Sequence, residues 1–125
     1  MARVTGLGGL FYRSRDLAAA KAWYRDVLGL GGEWGIAFPW SGEAAEDPYS
    51  LLSPFGADSD YFAPSEQPFM INLRVDDLEA MLAELEGKGV PVLGTQFEDY
   101  GKFAWILDPD GIKIELWQQI GPAPA

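Results

Sequence analysis

One carboxylate stands out as a group that could do chemistry. Glu115 lies inside an apolar run, in the stretch FAWILDPDGIKIELWQQ at residues 103–119. An acid in such a place has three readings, and the sequence leaves all three open. It binds a cation or hydroxyl of a ligand. It is an ion-pair partner of Arg74 or Lys113 with no present chemical role. Or it is a general base whose pKa is raised by aromatic walls. The chain has no histidine and no cysteine. That excludes an imidazole base, a Ser-His triad, a thiolate nucleophile, a disulfide and any metal site built on His or Cys. A divalent ion would need oxygen ligands alone. Arg13 and Arg74 are candidate anion binders, although arginines at strand ends commonly make structural ion pairs. The DPDG turn before Glu115 lacks the further oxygens and spacing of an EF-hand loop.

The rest of the composition narrows the class. At 125 residues, 48% hydrophobic and 14% aromatic, the chain can bury one compact core. Its net charge of −10 argues against a nucleic-acid partner, whose phosphates need a basic face. The bland reading of that charge is a solubilising surface. No apolar run approaches the ~20 residues that span a bilayer, and the N-terminal stretch lacks the pattern of a signal peptide. The expected setting is therefore cytoplasmic, with no membrane partner.

The elements that must position these residues occur twice. GLGGLFYRSRDLAAAKAWYRDVLGL and PFMINLRVDDLEAMLAELEGKGVPV align with Asp16 on Asp77, Arg13 on Arg74 and Leu17 on Leu78, an offset of 77 − 16 = 61 residues. In each copy an extended apolar stretch runs into an Asp that reads as a helix N-cap. Leu17, Ala20, Tyr24, Val27 and Leu28 recur at helical spacing, as do Leu78, Met81, Leu82 and Leu85. Glycines end the helices, at Gly29 and at Gly87 with Gly89. VPVLGTQFE, GKFAWIL and IKIELWQ read as strands, the last two joined by a DPDG hairpin. GEWGIAFPW and YSLLSPF are strand-like but interrupted, with the polar linker SGEAAEDP between them. The expectation is an α+β domain of two β-α-β-β-β modules, at 1–60 and 67–120, joined by GADSDYFAPSEQP.

This doubled arrangement resembles the vicinal oxygen chelate superfamily, which includes glyoxalase I, bleomycin-resistance proteins and extradiol dioxygenases. RDLAAAKAWYRDVLGL and DPDGIKIELW carry the resemblance, which covers nearly the whole chain. It implies a curved mixed sheet around a cleft. Strand parity then assigns faces. Ile112, Ile114 and Leu116 face the helices, whereas Lys113, Glu115 and Trp117 face the hollow. On the strand before the second helix, Met70, Asn72 and Arg74 do the same, and the repeat adds Gly9, Phe11 and Arg13. Metal-dependent members of the family carry a ligand seven residues before each capping Asp and a Glu on the last strand. Those places hold Gly9 and Met70, and only Glu115 matches. YSLLSPF offers hydroxyls but no carboxylate. The resemblance thus carries over the fold and the cavity, with neither metal nor other cofactor expected.

The expected function is metal-independent binding of a small organic molecule in an aromatic, acidic cleft, as in bleomycin-resistance proteins. Phe11, Met70, Asn72, Arg74, Trp105, Glu115 and Trp117 are the expected ligand-binding residues. Trp34 and Trp40 are candidates for a rim, for packing or for a dimer contact, and Trp23 and Tyr24 for core. The alternative is a glyoxalase-like lyase or isomerase, or a dioxygenase relative, using Glu115 with Tyr100 or Tyr61. A third reading is an interaction module. The resemblance also implies a homodimer.

Overall fold

The computed structural model describes residues 2–28, 31–39, 47–108 and 111–123, and gives the backbone alone at Trp23, Tyr24, Val27 and Leu28. Gly29, Trp40, residues 41–46, Pro109 and Asp110 lie outside this description, as do the side chains of Trp23 and Tyr24. The described elements are β1 (Val4–Ser14), α1 (Leu17–Leu28), β2 (Ile36–Pro39), β3 (Tyr49–Gly56), β4 (Phe69–Val75), α2 (Leu78–Gly87), β5 (Gly94–Glu98), β6 (Gly101–Leu107) and β7 (Lys113–Gln119). The strands form one mixed sheet in the order β2-β3-β1-β4-β7-β6-β5. The fold is α+β.

The strand pairing is symmetric about the centre of the sheet. β1 lies parallel to β3, β4 lies parallel to β7, and β1 and β4 meet antiparallel at the centre. At that seam Phe11 pairs with Met70, Leu10 with Ile71 and Gly9 with Asn72. An offset of 61 residues exchanges the first and third of these pairs. This is what a two-fold relation through Leu10 and Ile71 requires. Both helices begin as their capping Asp dictates. The Asp16 carboxylate accepts from the Ala19 amide at 3.0 Å, and Asp77 accepts from Ala80 at 3.1 Å. Each satisfies an amide that the first turn leaves without a helical partner.

The halves are not equal. Three strands follow α2, but among the described residues only β2 and β3 follow α1, one fewer than the repeat leads one to expect. The stretch after α1 is rich in glycine, and there the chain folds against itself. A Cβ on Gly32 would sit 2.2 Å from the Gly35 carbonyl oxygen. Strand pairing is poorly supported by such a sequence.

Parity decides what each face of the sheet buries. Leu73, Val75, Ala104, Ile106, Ile114 and Leu116 pack against Leu78, Met81, Leu82 and Leu85 of α2. The last hairpin fixes this register. Asp108 and Ile112 close the turn through an amide-to-carbonyl bond of 2.9 Å, and the Asp108 side chain accepts from the Ile112 amide, also at 2.9 Å. Gly111 adopts φ +76°, where a side chain would be strained. No helix of the described residues is long and apolar enough to cross a membrane.

Candidate functional site

The face away from α2 carries two rows of side chains, set by strand register. In the first row Glu115 on β7 lies between Asn72 on β4 and Trp105 on β6. In the second, two residues along, Trp117 lies between Arg74 and Phe103. The two rows have different fates.

The first row is closed. Glu115 is only 3% exposed. Its register neighbours both donate to it: Asn72 Nδ2 to Oε1 at 2.6 Å and Trp105 Nε1 to Oε2 at 2.9 Å. A third donor comes from the segment between the halves, where the Tyr61 hydroxyl donates to Oε2. Desolvation pushes the Glu115 pKa above the ordinary carboxylate range. The three hydrogen bonds and the nearby Lys113 charge oppose that shift without cancelling it. Burial and the facing carboxylate also push the Tyr61 phenol upward, so it stays a donor. Lys113 does not pair directly with Glu115. Its ammonium donates to the Tyr61 carbonyl at 2.5 Å and lies 5.2 Å and 5.6 Å from the Tyr61 and Trp105 ring centroids. Burial lowers its pKa.

The same inter-half segment plugs the hollow beside this row. Phe62, with no exposed surface, packs with Phe11 and Met70, and Leu51, Phe55, Tyr61 and Trp105 surround them. Tyr61 stacks on Phe55 and meets Trp105 edge-on. Arg13 lies 4.7 Å from the Phe62 ring centroid and donates to the Gln67 carbonyl, rather than pairing with an acid.

The second row borders a cavity instead of a plug, although Trp117 and Tyr49 are themselves nearly buried. Trp34, Tyr49, Leu51, Tyr100, Phe103 and Trp117 line a cavity of about 240 Å³. Tyr49 reaches it from β3 and Trp117 from β7, three strand spacings apart, or roughly 14 Å in a flat sheet. Yet their ring centroids are 5.0 Å apart, so the rings lean towards each other across β1 and β4. Gly8 makes room for this. A Cβ there would sit 1.6 Å from Asn72 Oδ1 and 3.1 Å from Trp117 Cε3. Phe103 and Trp117 stand parallel, 6.4 Å between centroids. Trp34 is 75% exposed and Tyr100 53%, which makes them the rim. Arg74 lies 4.9 Å from the Trp117 ring centroid and donates to the Tyr49 carbonyl at 3.1 Å.

Of the seven residues expected to bind a ligand, Phe11, Met70, Asn72, Trp105 and Glu115 belong to the closed row and its plug. Arg74 lies behind Trp117, and Trp117 alone lines the cavity. Trp34 was legible as a rim. Tyr49, Leu51 and Phe103 were missed, although Phe103 shares its strand face with Trp105 and could have been found by parity.

The places where family members carry metal ligands hold other chemistry. Met70 is buried among aromatic rings, and a Cβ on Gly9 would meet the Leu51 carbonyl oxygen at 2.4 Å. Ser53 pairs with Phe11 as Glu115 pairs with Asn72, so it is the counterpart of Glu115 in the first half. Its hydroxyl donates to the Trp34 carbonyl. No group of three or more acidic, His or Cys side chains among the described residues is arranged to hold an ion.

The sheet that carries this site is continuous and mixed, with two parallel strand pairs that meet antiparallel at its centre. The profile of the Glyoxalase/Bleomycin resistance protein/Dioxygenase superfamily matches residues 6–116, and the chain belongs to that superfamily. A search of curated proteins returns no match. Among solved structures, the fold is similar to a variant of Streptomyces coelicolor methylmalonyl-CoA epimerase in complex with 2-nitronate-propionyl-CoA, with TM-score 0.69 and 18% identity over 94% of this chain and 99% of that one. Methylmalonyl-CoA epimerase from Mycobacterium tuberculosis gives 0.60 and 25%, covering 97% and 90%. The Mn(II)-bound glyoxalase from Novosphingobium aromaticivorans gives 0.59 and 20%, covering all of this chain and 43% of that one.

Proposed function

We propose that this chain binds a small, largely apolar organic molecule in the aromatic cavity at Trp117, without a metal. The cavity itself carries the proposal: five aromatic rings and Leu51 enclose about 240 Å³ with no charged side chain in the lining. Concave apolar walls with few polar groups are what small-molecule recognition needs. The donor set supports the metal-independent part. Glu115 is the only carboxylate at a family ligand position, and both its oxygens already accept hydrogen bonds. One such oxygen donor does not hold a divalent ion against water. The family's usual assembly extends the proposal to a homodimer, which light scattering would test.

A second reading, an isomerase using Glu115 as a base, is favoured by the raised pKa of that carboxyl and by the epimerases among the structural neighbours. It requires Tyr61 to leave Glu115 first. A thermal-shift screen separates the two. Flat aromatic compounds should raise the melting temperature of the native protein by mass action and lose that effect in Trp34→Ala. Hits that survive Trp34→Ala but vanish in Glu115→Gln would overturn the binding proposal in favour of the isomerase.

A further inference from the structure

The polar side-chain atoms of the cavity lining are the indole nitrogens of Trp34 and Trp117 and the hydroxyls of Tyr49 and Tyr100. They are not equivalent. The Trp117 nitrogen is enclosed by the protein and reaches no open space. Trp34 and Tyr100 form the exposed rim, where bulk water serves their polar atoms. Tyr49 differs from all three, because it is only 3% exposed and yet lines the cavity. Its hydroxyl has no hydrogen-bond partner among the described residues, unlike that of Tyr61, which donates to Glu115. Nor is it enclosed: the enclosed polar atoms without a partner are Arg13 Nε, Asn72 Oδ1, Trp117 Nε1 and Gln119 Oε1. A hydroxyl that is neither paired nor enclosed, on a buried residue of the cavity wall, opens onto the cavity.

That position decides what the ligand must carry. Burial raises the Tyr49 pKa, so the group stays a neutral phenol that can donate one hydrogen bond and accept another. Arg74 donates to the Tyr49 carbonyl, and its charge favours electron-rich atoms around this ring over cationic ones. The lining holds no charged side chain to pair with a charged ligand. A molecule that fills the cavity strips water from the hydroxyl. It must replace the lost hydrogen bond, or it binds with a buried polar group left unpaired. We propose that Tyr49 determines the specificity of the cavity, by pairing its hydroxyl with a hydroxyl or carbonyl oxygen on an otherwise apolar, uncharged ligand. This inference rests on the binding function proposed above.

p-Cresol and p-xylene test it, because they share a shape and differ by OH against CH3. Their affinities are measured by calorimetry for the native protein and for Tyr49→Phe, which keeps the ring and removes only the hydroxyl. p-Xylene is the more hydrophobic of the two, so the quantity to compare between the proteins is the ratio of the two affinities. The expected result is a shift of that ratio against p-cresol by roughly three- to tenfold in Tyr49→Phe, as one net hydrogen bond implies. Without ligand, Tyr49→Phe should melt no lower than the native protein, since the hydroxyl it removes holds no other residue. An unchanged ratio in Tyr49→Phe overturns the inference and leaves the cavity as a binding site. A lowered melting temperature of the unliganded variant overturns it as well, because the hydroxyl would then have a partner within the fold. If neither compound binds the native protein, the binding function falls together with the inference.

Discussion

The two rows on the helix-free face start from the same template and end differently. At Glu115 the row is sealed by three neutral donors and by a plug from the segment between the halves. At Trp117, two residues on, the row opens into an aromatic cavity. Strand register alone makes the rows equivalent, so register does not decide which one is open. Tyr61 and Phe62 decide it, by filling the hollow over the first row and stopping short of the second. The acid that looks most chemical in the sequence thus sits in the plugged half of the face. The half beside the cavity is built from residues whose chemistry is unremarkable in isolation.

The comparison can be broken most forcefully at Glu115. Glu115→Ala strands one buried donor, Asn72, and two half-buried ones, Tyr61 and Trp105, each costing about 1–3 kcal/mol when left without an acceptor. Chemical denaturation should show a loss of at least about 3 kcal/mol. A loss under about 1 kcal/mol would mean that the first row is not a structural lock. Tyr61→Phe removes one donor to the carboxylate and should cost roughly 1.5–3 kcal/mol, with aromatic ligands still bound at Trp117. If ligand binding is lost instead, the two rows are not independent.

At the open row the expected effects move from stability to affinity. Trp34→Ala and Tyr100→Ala should each weaken aromatic ligands by about tenfold, as loss of an aromatic contact residue does. Stability should change by less than about 0.5 kcal/mol, because both rings are exposed. The pH dependence separates the rows too. A carboxyl whose pKa is raised on folding holds its proton longer in the folded state than in the unfolded chain. Its contribution to stability is therefore greatest in acid and falls as pH rises from the ordinary Glu value through the raised one. Relative to Glu115→Gln, the native protein should lose stability across that window and then level off. A difference that grows in the opposite direction would show that the carboxyl is stabilised as an anion. Smallest of all, Asp16→Ala and Asp77→Ala should each cost about 1 kcal/mol and leave ligand affinity unchanged, which unfolding and binding measurements on each variant would check.

Much of the fold was legible in the sequence because it depends on local rules. The Asp caps, the hairpin at Gly111 and the parity that turns Glu115 away from α2 all follow from short-range rules. The plug was not legible. Its segment has no periodic pattern, and its decisive contact, Tyr61 to Glu115, spans 54 residues of chain. Without the plug, the closed and open rows look alike, so the expected ligand set fell mostly on the closed one. Tyr49 was hidden for a related reason. Its ring meets Trp117 across Gly8, a feature that no single strand reveals. The short first half had a visible sign in its glycine-rich stretch after α1, but the repeat spoke for three strands there.

The most direct test of the division between a structural row and a binding row is a crystal structure of the native protein with a bound flat aromatic compound. The account predicts the compound among Trp34, Tyr49, Phe103 and Trp117, with the Tyr61–Glu115 hydrogen bond intact. A compound lying against Glu115 with Tyr61 and Phe62 displaced from the hollow would contradict it.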